Sequence, residues 1–203
     1  MSTTRYKRIF VVISPTAKYP QRPVRGIAGS TGRLDVILRS ALAALGYGLA
    51  VRRDSIFIGY AAQTSTVIEI WGSEVEYMPD SEVELFKMLC SRCRGFYVKS
   101  MNLKEFKSHV SALCRGTCIY LKEDGIPIEN IDLGTLVEPL CFFLGAHVDI
   151  DEYMEKELGL NSMMRVSLGG ISYMTYQCII IMNRILDLWN HMRIHLTRDL
   201  YTK

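Results

Sequence analysis

Short apolar runs that stop at glycine or proline, each followed by a stretch with helical spacing, constrain this chain more than any other feature. Arg8–Pro15 (RIFVVISP) reads as a buried strand ended by proline, and Ser55–Tyr60 (SIFIGY) and Thr66–Trp71 (TVIEIW) read as two more. Gly95–Lys99, Thr117–Lys122, Leu140–Leu144 ending in Gly145, and Arg165–Leu168 continue the series, and Glu74–Met78 is expected to be a further extended piece. From Arg33 onward, Leu34, Ile37, Leu38, Ala41, Leu42 and Leu45 recur at helical spacing, with Ser30 or Thr31 placed to cap the start and Gly46 to end it. Ser81-x-x-Glu84 predicts a capped helix to about Arg94, and Asn102 with Glu105 opens another to about Arg115. Glu123-Asp124-Gly125-Ile126 reads as a turn, Glu152–Leu158 as a short helix, and Tyr173 to about Leu200 as one long closing helix. This alternation predicts an α/β fold, with a largely parallel sheet flanked by helices.

A chain of 203 residues, 49% hydrophobic and 22% charged, suits one domain with a substantial core. The net charge of +3 is unevenly spread. Arg5, Lys7, Arg8, Lys18, Arg22, Arg25, Arg33, Arg39, Arg52 and Arg53 face only Asp35 and Asp54 in the first part of the chain. That asymmetry fits an anionic partner, and equally a solvated basic face balanced by acidic stretches such as Asp149–Glu157. The opening apolar run is too short for a signal peptide and no uninterrupted apolar stretch reaches membrane-spanning length, so a cytoplasmic protein is expected.

Six cysteines are too sparse for a secreted disulfide scaffold. The spacing of Cys90, Cys93, Cys114 and Cys118 invites a zinc site, but Cys90 and Cys93 fall near a helix end and Cys118 within an apolar strand, where ordinary buried cysteines suffice. His191 and His195 share a helical face without the glutamate of a metalloprotease motif, and read as a surface pair. No metal is expected.

Two glycine loops carry the functional signal: Phe143-Leu144-Gly145-Ala146-His147, and the segment from Val166 through Gly169-Gly170 to Tyr173. In parallel sheets the loops beyond the carboxyl ends of strands form the binding crevice, and glycine there permits close ligand approach. Neither the G-x-G-x-x-G fingerprint nor a phosphate-binding G-x-x-x-x-G-K loop is present.

These loops resemble those of the knotted SPOUT-class RNA methyltransferases, and in particular the archaeal tRNA pseudouridine-54 N1-methyltransferase family. The resemblance extends to Gly32–Arg39 (GRLDVILR), Arg52-Arg53-Asp54, Gly72-Ser73-Glu74, Gly95–Lys99, Glu123–Ile126, Ser167–Gly170 and the piece from Ser172-Tyr173 to Cys178-Ile179, in that order. The chain departs from the family pattern at Ala146, at Gly170 and at Tyr176-Gln177.

The resemblance implies a SPOUT-type single domain with a C-terminal deep trefoil knot, an RNA-facing part of about residues 1–137 and a cofactor-binding part of about 138–203. It also implies a homodimer that methylates N1 of a tRNA pseudouridine with S-adenosylmethionine. Leu144, Gly145, Leu168, Gly169, Tyr173 and Cys178 would hold the cofactor. Asp35, beside Arg33, would hydrogen-bond or accept the N1 proton, unless it serves only to favour the positive helix start. Arg22, Arg25, Arg33, Arg39, Arg52 and Arg53 would hold RNA phosphates. Ribosomal-RNA or ribose methylation, and a non-catalytic knotted RNA-binding dimer, are the neighbouring alternatives.

Overall fold

The computed structural model describes residues 6–20, 26–47 and 50–201, with side chains described to His191 except that of Tyr47. In chain order the elements are β1 (Arg8–Ser14), α1 (Ile27–Ser30), α2 (Leu34–Leu45), β2 (Gly46–Tyr47), β3 (Ala50–Val51), β4 (Ser55–Ala61) and β5 (Thr66–Trp71). There follow α3 (Glu82–Cys90), β6 (Phe96–Ser100), α4 (Leu103–Leu113), β7 (Cys118–Pro127), β8 (Leu140–Gly145), α5 (Glu152–Leu158), β9 (Met164–Ser167) and α6 (Thr175–Tyr201). Seven strands form one sheet in the order β6-β5-β4-β1-β8-β7-β9. The pairs from β4 to β9 are parallel, and β5 and β6 join antiparallel at one edge. The expected α/β class is therefore found.

β1 lies at the centre and shows why. Alternate residues of a strand face opposite sides, and every residue of β1 is buried. Phe10 and Val12 join the core beneath α2, α3 and α6, while Ile9, Val11 and Ile13 join the one beneath α4 and α5. A strand apolar on both faces needs helices on both faces. The sheet also separates the cysteines: Cys93 packs against the first core and Cys114 and Cys118 against the second, so the two pairs do not converge. Among the described residues no group of three or more His, Cys, Asp or Glu side chains is placed to hold a metal ion, and no helix is long and apolar enough to cross a membrane.

Local capping chemistry accounts for most helix starts. Ser81 accepts a hydrogen bond from the Glu84 amide, and Asn102 and Glu105 form a complete reciprocal box. α2 starts differently from the simple cap expected. Arg33 occupies the N-cap in the left-handed region (φ 69°), and the Thr31 hydroxyl accepts from the Leu34 amide at 3.3 Å. α3 stops at Cys90, short of Arg94, because Arg92 turns left-handed (φ 51°) and leads the chain into β6.

Two expected elements are corrected. Glu74–Met78 forms no strand, since the Arg53 guanidinium donates to the carbonyls of Gly72, Val75 and Glu76 and takes the place a partner strand would fill. The turn expected at Glu123–Ile126 is instead a bulge inside β7, where the register against β9 jumps between Leu121 and Ile126. Gly125 fits there because a Cβ would lie 2.5 Å from the Val166 amide nitrogen.

Long-range polar contacts fasten the ends. Arg8 on β1 donates to Asn183 Oδ1 and Asp187 Oδ1 on α6, each at 2.8 Å. Asn183 reaches on to the Ala43 and Ala44 carbonyls of α2. On the other side of the sheet the fully buried Glu69 accepts from Lys99 Nζ at 3.0 Å and from Trp71 Nε1 at 3.1 Å, so its charge is compensated where it is desolvated.

Candidate cofactor and RNA site

The carboxyl ends of β7, β8 and β9 lie side by side in the sheet, and a cavity of ≈ 510 Å³ opens above them. Leu144, Gly145, Leu168, Gly169, Tyr173 and Cys178 all line it. Residues 23 to 34 positions apart thus meet because β8 and β9 flank β7, whose own segment Tyr120–Asp124 forms the wall between them. That wall is the part the sequence reading missed. The signal was present in Glu123-Asp124-Gly125, but as a turn rather than as a bulged strand passing the cavity.

Each loop has a backbone reason for its glycine. Gly169 sits at φ +121° with nothing within 4 Å of a notional Cβ, a conformation that L-residues rarely adopt and an open face toward a ligand. At Gly145 a Cβ would meet the Val148 carbonyl at 3.0 Å. The Thr175 hydroxyl, at the first turn of α6, lies 2.8 Å from the Gly145 carbonyl and 2.5 Å from that of Ala146, tying the helix start to the β8 loop.

Charged groups line one side. Tyr120 donates to Glu155 at 2.7 Å and Lys122 Nζ stands 3.0 Å from the same oxygen. Burial opposes ionisation of Glu155, yet the hydrogen bonds from Tyr120 and Lys122 outweigh it and hold the carboxyl below its ordinary range. Burial pushes the Cys178 thiol up to about 11, so it stays a neutral, unreactive wall at physiological pH.

Asp35 and Arg33 do not line this cavity. They stand at the start of α2, where Arg33 Nε contacts Asp35 Oδ1 at 3.0 Å and Nη2 contacts Oδ2 at 3.1 Å, and Asp35 is almost buried. The loop before them nonetheless reaches the cavity rim. Thr16 Oγ1 donates to the Gly32 carbonyl at 3.1 Å and lies 3.4 Å from Nε2 of the cavity-lining His147. Gly32 is tight against that strand end, with a Cβ there lying 2.0 Å from the Thr16 carbonyl oxygen.

Residues 7–191 match the family model described as "Putative SAM-dependent RNA methyltransferase". The chain belongs to this family. Among curated relatives it is 31% identical over 187 residues to the tRNA (pseudouridine(54)-N(1))-methyltransferase of Methanococcus aeolicus, covering 81% of this chain and 89% of that protein. It is 27% identical over 186 residues to the protein of the same name from Methanocaldococcus jannaschii, covering 81% and 88%. Among solved structures, Archaeoglobus fulgidus Nep1, crystallised with S-adenosylhomocysteine, aligns over 93% of this chain and all of that one, with a TM-score of 0.59 and 19% identity, a likeness of fold.

For a SAM-dependent RNA methyltransferase the cavity fits the cofactor. Its volume is in the range of small-molecule sites, and an open left-handed glycine leaves main-chain groups free for a ligand to approach. The basic residues of this methyltransferase divide into two groups. Arg52 makes a two-pronged pair with Asp187, at 2.9 and 2.8 Å, and Arg53 is engaged by main-chain carbonyls. Arg33 and Arg39 are more exposed, Arg33 paired with Asp35 and Arg39 with Glu82 while its guanidinium lies over the Tyr176 ring. Arg22 and Arg25 lie outside the described residues.

Proposed function

We propose that this methyltransferase transfers a methyl group from S-adenosylmethionine to N1 of pseudouridine 54 in tRNA, the reaction named for its curated relatives. The observation that carries the reading is the convergence of the two glycine loops on one cavity, at whose rim His147 meets the loop that leads into Arg33 and Asp35.

Bound there, S-adenosylmethionine supplies an electrophilic methyl on a sulfonium, and pseudouridine N1 supplies the nucleophile. Main-chain groups of Leu144, Gly145, Leu168 and Gly169 hold the cofactor, with Tyr173 and Cys178 closing the side toward α6. Asp35 accepts the N1 proton, and Arg33, bonded to both carboxylate oxygens, holds it in one orientation. Arg22, Arg25 and Arg39 hold RNA phosphates. Arg52 and Arg53, engaged from within, shape that surface from behind. The target base, stacked inside a folded tRNA, turns out of its stack to reach the cavity.

The reading includes a division between an RNA-facing part, about residues 1–137, and a cofactor-binding part, about 138–203, with β7 adding a wall to the second. It includes a C-terminal knot, which the fastening of α6 to the β8 loop by Thr175 supports. It includes a homodimer, supported by the exposed apolar Ile180 and Leu188 two turns apart on α6. As a tRNA enzyme it works in the cytoplasm.

Incubating unmodified and pseudouridine-containing tRNA with methyl-labelled cofactor, followed by mass spectrometry of the nucleosides, tests this. Labelled N1-methylpseudouridine from the second RNA alone is expected. Label on a ribose hydroxyl, or equal labelling of both RNAs, would refute it.

A further inference from the structure

We infer that Cys114, Cys118 and Cys141 form a redox-reactive thiol site on the face of the sheet beneath α4 and α5, where a small disulfide oxidises Cys118 and Cys114 to an intramolecular disulfide. The three thiols come from three elements: Cys114 caps the end of α4, Cys118 opens β7, and Cys141 is its register partner on β8. All are free thiols, and the Cys118 sulfur lies 3.8 Å from the Cys114 carbonyl oxygen while Cys141 stands beside Cys118 in the sheet register.

A cavity of ≈ 90 Å³ gives access. Both Cys114 and Cys118 line it, with Phe106, Val110 and Phe143 on its apolar side and Lys107 as its cation. Cys118 is half-buried, Cys114 more so, and Cys141 wholly enclosed, so Cys118 is the thiol a reagent meets first. Hydrogen bonds from Cys114 and then Cys141 hold the Cys118 thiol below its ordinary range against its burial, which enriches the reactive thiolate.

The geometry also selects the partner. Register neighbours on adjacent strands keep their side chains about as far apart as the strands, roughly 4.8 Å, wider than the roughly 3.8 Å between Cβ atoms that a disulfide requires. Cys141 is fixed in that register, paired to β1 as well as β7. Cys118 instead leans back on the end of α4, its sulfur 3.8 Å from the Cys114 carbonyl oxygen, and only the short connection Arg115–Thr117 must adjust.

In the reaction the Cys118 thiolate attacks one sulfur of the small disulfide, forming a mixed disulfide and releasing one thiolate. Cys114, losing its proton, then attacks the Cys118 sulfur and releases the second. The two cysteines give up two electrons and two protons, and the small disulfide is reduced to two thiols. Because β7 runs on to the cofactor cavity, the link would anchor the foot of one of its walls.

The test is oxidation of the full-length protein carrying Cys90→Ser and Cys93→Ser with oxidised glutathione, followed by tryptic mapping. Cleavage after Arg115 places Cys114 and Cys118 on separate peptides. A linked pair of those peptides that dithiothreitol separates, together with loss of iodoacetamide labelling at both cysteines, is expected. Cys141→Ser should keep the link and Cys118→Ser should abolish it. Recovery of Cys118 as a reduced thiol in the folded protein, or its linkage to Cys141, would overturn the inference.

Discussion

Arg8 and Asp187 meet at 2.8 Å although 179 positions separate them in sequence, and Arg52 binds both oxygens of the same carboxylate. One acid on α6 thus closes the central strand, the loop before β4 and the last helix into one unit.

Asp187→Asn should lower stability by roughly 3 kcal/mol, because it leaves the nearly enclosed Arg8 with only the longer contact to Asp54, 3.9 Å from its Nε, to offset its charge. Urea unfolding measures this. Burial works against ionisation of Asp187, but the hydrogen bonds from Arg52 and Arg8 lower its folded pKa below the ordinary carboxylate range. A depressed carboxyl contributes stability that is complete above the unfolded pKa of about 3.9 and is lost as pH falls through the folded value. The wild-type protein should therefore lose more stability than Asp187→Asn as the pH falls below about 5. Parallel acid profiles would argue against the pairing.

Gly169→Ala should weaken S-adenosylhomocysteine binding by roughly tenfold or more. The left-handed φ, not crowding, is the obstacle, and holding an alanine there costs about 1–3 kcal/mol. Gly170→Ala, at a position with open space and no left-handed φ, should bind within about twofold of wild type. Titration calorimetry compares the two, and equal losses would show that the loop does not discriminate by backbone conformation.

Asp35→Asn should slow methyl transfer by roughly 10²–10⁴-fold if the carboxylate takes the N1 proton. Cofactor affinity should not change, since Asp35 stands outside the cavity. Single-turnover kinetics with pseudouridine-containing tRNA checks this, and full activity would reduce Asp35 to a partner of Arg33.

Replacing Arg33 and Arg39 with alanine should weaken tRNA binding and flatten its salt dependence by about one unit of slope per lost phosphate contact. Filter binding across a salt series reads both. An unchanged slope would place the RNA elsewhere.

Strand and helix existence was legible because it depends on neighbours in sequence. The two-sided apolar run Ile9–Ile13, the Ser81 cap and the Asn102–Glu105 box all act within a few residues. The glycine loops were legible for the same reason, since a backbone needing an unusual dihedral leaves a glycine behind. What the sequence alone determined, then, was the α/β class and the two loops of the cavity. Only the tertiary structure decided that Arg53 would replace a strand partner at Val75, that Glu123–Gly125 would bulge within β7 rather than turn, and that Arg52 would be bonded to Asp187. Those outcomes depend on groups distant in the chain. A buried carbonyl or charge must find a partner, and which one it finds is set by what folding brings beside it.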